Sequence, residues 1–568
     1  MPSPSPLLCV LLVCAAASLP GDTFRVTPYL QRPATNAMSV LWFTETDSPS
    51  VLRWWPEAGG ARQSVAVRPE QAVELWYCDR DQAEYNARSS YSGIARGPIQ
   101  SIPWQHRARI EGLAPGTRYV YAVELEGGAA YTNRFRTAPA RDTPVRFLCY
   151  SDAETEPEST GKRETADIPQ GSARTDKSYP VDQTVGYAKN IERMKERDPD
   201  FYVIAGDLVQ YGEEQRDWDE FWRHNAGCRN DPGGSAPILA APGNHDYVGK
   251  AINDRQYNAY DGGEAAIQRY LRYFEFEPNG VDFADGGKDR SELFHRLDYG
   301  RATVLFLDAN NGDDSDMARD TCLRLYRAGA TLPPGHAPPS SQAPCRAPDF
   351  NPGSPQFVWF TNQLADAQAK GQFTFVVCHH MPYSVGYHNR TNVWTGTQNK
   401  YDEPYSARAV RVLTPYMLKY GVTAWIAGHD EIMEHSRVTG FELRPNGKLR
   451  KTALDIYDVG NSGDGLRGGG ERNGPFLSGE ANPYEVFRAH VDSPEVFQQG
   501  TWTDGGKHYG HLEVEIAPNA QGVWECTLTP KYVFVNSAAG PFALRAFADR
   551  TVRPDPALKS RDLAITLR

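Results

Sequence analysis

Past its first twenty residues the chain has no apolar run long enough to cross a bilayer, so no membrane-spanning helix is expected. It has no CxxC pair and no Cys/His cluster, which removes structural zinc from the reading. No internal repeat appears, which leaves no basis for a solenoid or a propeller. A basic excess is missing too: 60 Lys and Arg stand against 71 Asp and Glu, for a net charge of −11. That balance argues against nucleic-acid binding, which needs a face that neutralises phosphates. It leaves phosphate-ester substrates open, because bound cations reverse the local field.

What is present fits a soluble globular protein of more than one domain. The 568 residues exceed what one ordinary core accommodates, and 40% hydrophobic with 23% charged residues is the balance of folded chains. Leu7 to Cys14 is a short apolar run followed by the small residues Ala15 to Ser18, the pattern of a secretory signal over residues 1–20. A secreted or periplasmic location follows as an expectation. Nine cysteines become seven once that segment is removed, an odd count that leaves at least one thiol unpaired. Cys149 and Cys378 lie in apolar, strand-like runs and read as buried free thiols. Cys322 and Cys345 bracket a Pro-rich loop and are placed to pair in an oxidising compartment.

Between about Thr23 and Thr137, runs rich in β-branched and aromatic residues, such as Ser39–Phe43 and Arg118–Val123, are punctuated by turns such as Ala114-Pro115-Gly116-Thr117. That pattern predicts a small all-β sandwich, fibronectin type III-like, over residues 21–140 with a linker at Ala138–Thr143. After Pro144 the rhythm changes. Apolar strands at Val145–Tyr150, Phe201–Ala205, Ile238–Ala241, Thr303–Leu307, Phe373–Val377 and Thr423–Ala427 are interspersed with helical stretches. They predict a central sheet covered on both faces, in an α/β domain over residues 143–540, with 541–568 as a C-terminal tail. Loops rich in Gly, Pro, Asp and Ser at 154–179, 311–354 and 460–506 are of a length that is usually functional or mobile.

The chemistry sits where polar residues follow the strands. Tyr150 leads into Ser151-Asp152-Ala153-Glu154, Ala205 into Gly206-Asp207, and Ala241 into Pro242-Gly243-Asn244-His245-Asp246. Val377 leads into Cys378-His379-His380-Met381-Pro382, and Ala427 into Gly428-His429-Asp430-Glu431. One such Asp is more often a turn residue or a helix N-cap, and a lone His is more often a satisfied core residue. Five endings in this order are hard to explain by turns alone, and strand carboxyl ends are where α/β sheets place ligand sites. Asp, Asn and His together suit Zn, Fe or Mn, and a carboxylate can bridge two ions.

The order GD, GNHD, HxP and GHxx resembles the motifs of the calcineurin-like metallophosphoesterase superfamily. Thr27-Pro28-Tyr29-Leu30-Gln31, the Ala114–Thr117 turn with Tyr119, and Phe135-Arg136-Thr137 resemble the domain preceding the catalytic part of purple acid phosphatases. The resemblance covers about residues 23–535 and implies a β-sandwich followed by an α/β sandwich of αββα type. It implies two metal ions per chain, with Asp207 as the bridging carboxylate. Asn244, His380 and His429 would complete one site and Asp152 would stand on the other. His380 fits the HxP spacing better than its neighbour His379. His245 would lie near the leaving group as general acid, with Asp246 orienting it.

Three departures from that pattern bear on the metals. Purple acid phosphatases carry a tyrosine three residues after the bridging Asp, where this chain has Gln210, with Tyr211 one place later. The first motif is Asp-x-Glu where Asp-x-His is common, and the last is Gly-His-x-Glu. Glu154 and Glu431 would both fall on the same metal position, an exchange of imidazole for carboxylate that makes Mg or Ca plausible there beside Fe, Zn and Mn. His388 and Arg390, soon after the HxP motif, are candidate contacts for the substrate phosphate, with an ordinary surface role for Arg390 equally open. The expected activity is hydrolysis of small-molecule phosphate monoesters by a metal-activated water. The same core serves phosphodiesterases and nucleotidases, and a non-catalytic binding protein with a degenerate metal site is the reading from another class.

Overall fold

The structure, a computed structural model, describes residues 23–77, 81, 102–164, 178–247, 263–283, 289–310, 346–386, 388, 409–463, 465–466, 482–489 and 495–547. Arg390, Cys322, Cys345 and residues 1–20 lie outside the described residues.

The first eight strands are β1 (Phe24–Gln31), β2 (Ala37–Thr44), β3 (Ser50–Pro56), β4 (Gln63–Val67), β5 (Glu70–Gln71), β6 (Trp104–Glu111), β7 (Arg118–Leu125) and β8 (Ala130–Arg136). They form two four-stranded sheets, ordered β1-β2-β6-β5 and β4-β3-β7-β8. All eight residues of β2 are buried, because the strand has a core on each side. Met38, Val40 and Trp42 point into the sandwich, while Leu41 and Phe43 join the core of the following domain. The sandwich is therefore packed onto its neighbour. Tyr29 lies with its ring 4.3 Å from that of Trp222, and Gln31 Nε2 donates to the Ile238 carbonyl at 2.9 Å.

The next strands are β9 (Val145–Tyr150), β10 (Phe201–Ile204), β11 (Ile238–Ala240), β12 (His295–Tyr299), β13 (Ala302–Phe306), β14 (Phe373–Val377) and β15 (Ala424–Ala427). They are followed by β16 (Met433–Leu443), β17 (Leu449–Val459), β18 (Glu485–Arg488), the hairpin β19 (Val496–Gln498) and β20 (Thr501–Asp504), then β21 (Gly510–Pro518), β22 (Trp524–Phe534) and β23 (Ala543–Ala546). These strands build a six-stranded sheet, β11-β10-β9-β21-β22-β23, and a seven-stranded sheet, β12-β13-β14-β15-β17-β16-β18.

The single central sheet read from the apolar runs is two sheets face to face, the αββα sandwich that the resemblance implied. Phe147 of β9 meets Phe375 of β14 across the interface, with ring centroids 5.1 Å apart. The strands read as buried on both faces because the second sheet covers one side and helices cover the other. The helix Gln183–Lys195 packs on β21 and β22, and Pro355–Lys370 on β13 and β14. Local signals set those helices: Asp182 and Ser354 cap their N-termini, Pro355 occupies the first turn, and Gly371 ends the second in a left-handed conformation. Cys149, Cys378 and Cys526 are buried free thiols and Cys228 is an exposed one. Among the described residues no helix is long and apolar enough to cross a membrane.

The register positions the site. In the six-stranded sheet Ile204 lies beside Tyr150 and Ala240, and in the seven-stranded sheet Val377 lies beside Ile426 and Ala427 beside Asp458, all in parallel pairing. The carboxyl ends of β9, β10, β11, β14, β15 and β17 accordingly open on one rim.

Candidate metal centre

The loops on that rim carry unusual backbone. Eight described non-glycine residues have positive φ, and five of them are Asp152, Glu154, Asp207, His429 and Glu431. Such conformations are unfavourable for residues with a Cβ, and they persist where the surroundings enforce them, most often at functional sites. Neighbouring glycines supply the room. A Cβ on Gly243 would lie 2.1 Å from Asp207 Oδ1, and one on Gly428 would lie 2.1 Å from Asp152 Oδ2.

The side chains held by these turns converge. His379 Nε2 lies 2.9 Å from Asp207 Oδ2 and 3.1 Å from His429 Nδ1. His379 Nδ1 faces the Ala205 carbonyl at 2.9 Å and must donate to it, so Nε2 of the neutral ring bears a lone pair. A carboxylate oxygen and two imidazole nitrogens then share one point, an arrangement that a metal ion or a proton between them satisfies. In the ion-free chain a proton takes that place. Burial alone would lower His379, but Asp207 and Asp152 bring it up to about 9. Burial would raise Asp207, yet His379 and His245 draw it down to about 2. Asp207 Oδ1 accepts from the His245 N–H at 2.8 Å, so its two oxygens face different partners.

The remaining donors are equally buried. Both oxygens of Asp152 accept from the His429 N–H, at 3.0 and 3.1 Å, and burial with the nearby Asp207 charge brings this carboxyl up to about 7. Asn244 Oδ1 is buried with no hydrogen-bond partner among the described residues, a placement that costs free energy unless a ligand meets the oxygen. His429 is held neutral, first by burial and then by His388, His380 and His379. Among the described residues two groups have ligand atoms within 4.8 Å of one another: Asp207, His379 and His429, and Glu154, Asp207 and His245. Two groups sharing one carboxylate, with an orphaned amide oxygen beside them, fit a pair of metal ions of borderline or hard character.

Comparison with known proteins agrees with this chemistry. Residues 180–432 match the family model for calcineurin-like phosphoesterase, and residues 24–137 match that for the purple acid phosphatase N-terminal domain. Residues 180–432 therefore carry a calcineurin-like phosphoesterase domain. Both are families of metal-dependent hydrolases. Among solved structures it is similar to purple acid phosphatase PPD1 from yellow lupin (Lupinus luteus) seeds, 15% identical over 90% of this chain and 72% of that one, with a TM-score of 0.52. It is also similar to PhoD, 12% identical over 94% of this chain and 90% of that one, with the same TM-score of 0.52. At these identities the likeness is one of fold. No curated protein matches the chain in sequence.

Within this domain the expected residues divide into those the fold brings together and those it turns elsewhere. Asp152, Asp207, Asn244 and His429 lie on the common rim. Spacing favoured His380, but the imidazole that meets Asp207 is His379; the His380 ring stands 4.6 Å from that of His429. Asp246 does not orient His245. Its Oδ1 accepts from the Leu208 N–H at 3.1 Å and its Oδ2 from the Gly243 N–H at 2.7 Å, so it ties two site loops together. Burial with the Asp207 charge brings it up to about 8. His245 is aligned by Gln210, whose carbonyl accepts from Nδ1 at 2.7 Å.

Glu154 joins the second group, with Oε2 4.0 Å from His245 Nδ1. Glu431 is buried on the rim but belongs to neither group. His388 stacks on His429 at 3.8 Å between centroids. Asp458 went unnoticed in the sequence. It is buried, and its Oδ2 has no hydrogen-bond partner among the described residues. The signal was available, since Asp458 is the next-to-last residue of an apolar strand that runs into Gly460-Asn461.

Proposed function

We propose that this phosphoesterase is an exported enzyme that hydrolyses small-molecule phosphate monoesters at a two-metal centre. Asp207 would be shared, with Asn244, His379 and His429 on one ion and Asp152, Glu154 and Glu431 on the other. His379 takes the place that HxP spacing gave to His380. The observation that carries the reading is the convergence of Asp207 Oδ2, His379 Nε2 and His429 Nδ1 on one point, a donor set that suits a metal ion. Bound ions supply charge that neutralises phosphate oxygens and lowers the pKa of a water.

The chain's own groups hold and hand on protons. Because His245 Nδ1–H is committed to the Gln210 carbonyl, Nε2 is the atom available to protonate the leaving oxygen. With 15% of its side chain exposed, His245 is reachable from the cleft, whereas His379 is fully buried. Arg390 keeps its place as a phosphate contact on its sequence position alone. Export rests on the apolar run Leu7–Cys14 and the small residues after it.

Turnover of p-nitrophenyl phosphate and bis(p-nitrophenyl) phosphate by the wild type, Asp207→Ala and Asn244→Ala tests the reading. The monoester is expected to be the better substrate, and each substitution to remove about 10²-fold or more of the activity. A diester preference would replace the reading by the phosphodiesterase one. Hydrolysis unchanged by both substitutions would remove the two-metal mechanism.

A further inference from the structure

His388 was expected to contact the substrate phosphate, and its surroundings point elsewhere. Its Nδ1 lies 2.8 Å from the His429 carbonyl oxygen, to which it must donate, and 3.1 Å from Asp430 Oδ1. Its backbone N–H donates to the same Asp430 oxygen at 2.8 Å. Its ring lies on the His429 ring, with centroids 3.8 Å apart and planes 24° apart. The turn before it is pressed against Asp430, since a Cβ on Gly386 would stand 2.2 Å from Asp430 Cγ. Only 10% of the His388 side chain is exposed.

His429 needs such support. Its φ of +79 is a left-handed conformation that its Cβ disfavours. The residue is fastened on both sides, its N–H by the Asp152 carboxylate and its C=O by His388 Nδ1. Ring stacking then fixes the plane of the imidazole. From this geometry we infer that His388 is a positioning residue, which locks the backbone and ring of His429 for metal binding and does not bind the substrate phosphate. The inference rests on the proposed role of His429 as a ligand. Groups behind a metal ligand set its orientation, and their loss typically lowers metal affinity by about 10–100-fold.

The test uses the full-length chain stripped of metal. Zn²⁺ and Mn²⁺ dissociation constants are measured by chelator competition, alongside KM and kcat for p-nitrophenyl phosphate at saturating metal. His388→Ala is expected to weaken binding of one ion by about 10–100-fold while KM at saturating metal stays near the wild-type value. His388→Asn is expected to restore affinity, because its amide nitrogen occupies the place of Nδ1. His388→Gln, with its donor at the place of Nε2, is expected to bind as weakly as alanine. The Asn and Gln pair keeps the test decisive if the alanine variant does not fold. Wild-type metal affinity in His388→Ala and His388→Gln with a raised KM overturns the inference and leaves the metal reading standing. A wild-type chain that binds neither ion overturns both.

Discussion

Gly243 gives the sharpest test of how the bridging carboxylate is held. A Cβ there would lie 2.1 Å from Asp207 Oδ1 and 2.3 Å from the Asp207 backbone nitrogen, where ordinary contact begins at 3.4 Å. Gly243 is not in the left-handed region, so Gly243→Ala adds a contact without adding backbone strain. One of the atoms struck is main chain and cannot rotate away, so Asp207 must move by roughly 1 Å. A misplacement of about 1 Å costs on the order of 10²-fold in rate, or roughly 2.7 kcal/mol of barrier. The overpacking itself costs about 1–3 kcal/mol of stability, which leaves a folded protein to assay. Metal content and kcat/KM on p-nitrophenyl phosphate are measured, with melting curves as the check on folding. Gly112→Ala is the control. Its φ of +72 brings strain but its side-chain space is open, so it lowers the melting temperature and spares activity. A Gly243→Ala protein with wild-type metal content and kcat/KM within about threefold refutes the packing argument.

Two further perturbations follow from buried groups. His295 is stacked between Phe276 at 3.8 Å and Phe306 at 4.3 Å, and burial pushes it down from 6.5 to about 3. The unfolded chain takes up this proton near pH 6.5 and the folded chain resists it until about 3, so stability falls as pH drops through that window, by about 1.4 kcal/mol per pH unit. Denaturant melts of wild type and His295→Phe should diverge on acidification, the variant losing less; parallel curves would contradict the assignment. Asp246→Ala strands the Leu208 and Gly243 N–H groups and should cost about 2–6 kcal/mol, with Asp246→Asn costing less because one acceptor remains. Unchanged melting together with an altered pH–rate profile would return Asp246 to an orienting role beside His245.

Much of the fold and the rim was legible because periodicity and strand ends are local signals. The β-branched and aromatic run of β2, the apolar runs after Pro144 and the polar residues that follow them are all visible in the order of residues. The split into two sheets was not legible in the apolar runs themselves, since a strand covered by a helix on one side and a sheet on the other has the same run as one between two layers of helices; it came from the resemblance, whose αββα type the two sheets match. The choice between His379 and His380 was not legible either. Adjacent residues leaving a strand point to opposite sides, and the turn after Val377 decides which imidazole reaches Asp207. Asp246 and His388 make hydrogen bonds that were hidden for a related reason. Their types and spacing are those of reacting groups, but their hydrogen bonds go to backbone at Leu208, Gly243 and His429, which only the folded loops bring near. Asp458 was hidden by the eleven-residue strand that contains it.

The central claim is that two ions sit on Asp207, and elemental analysis of the full-length protein purified without added metal addresses it most directly. The account predicts about two ions per chain, a lower content in Asp207→Ala and Asn244→Ala, and loss of p-nitrophenyl phosphate hydrolysis in step with the metal. Full activity in protein that contains no metal, or unchanged metal content in both variants, would contradict it.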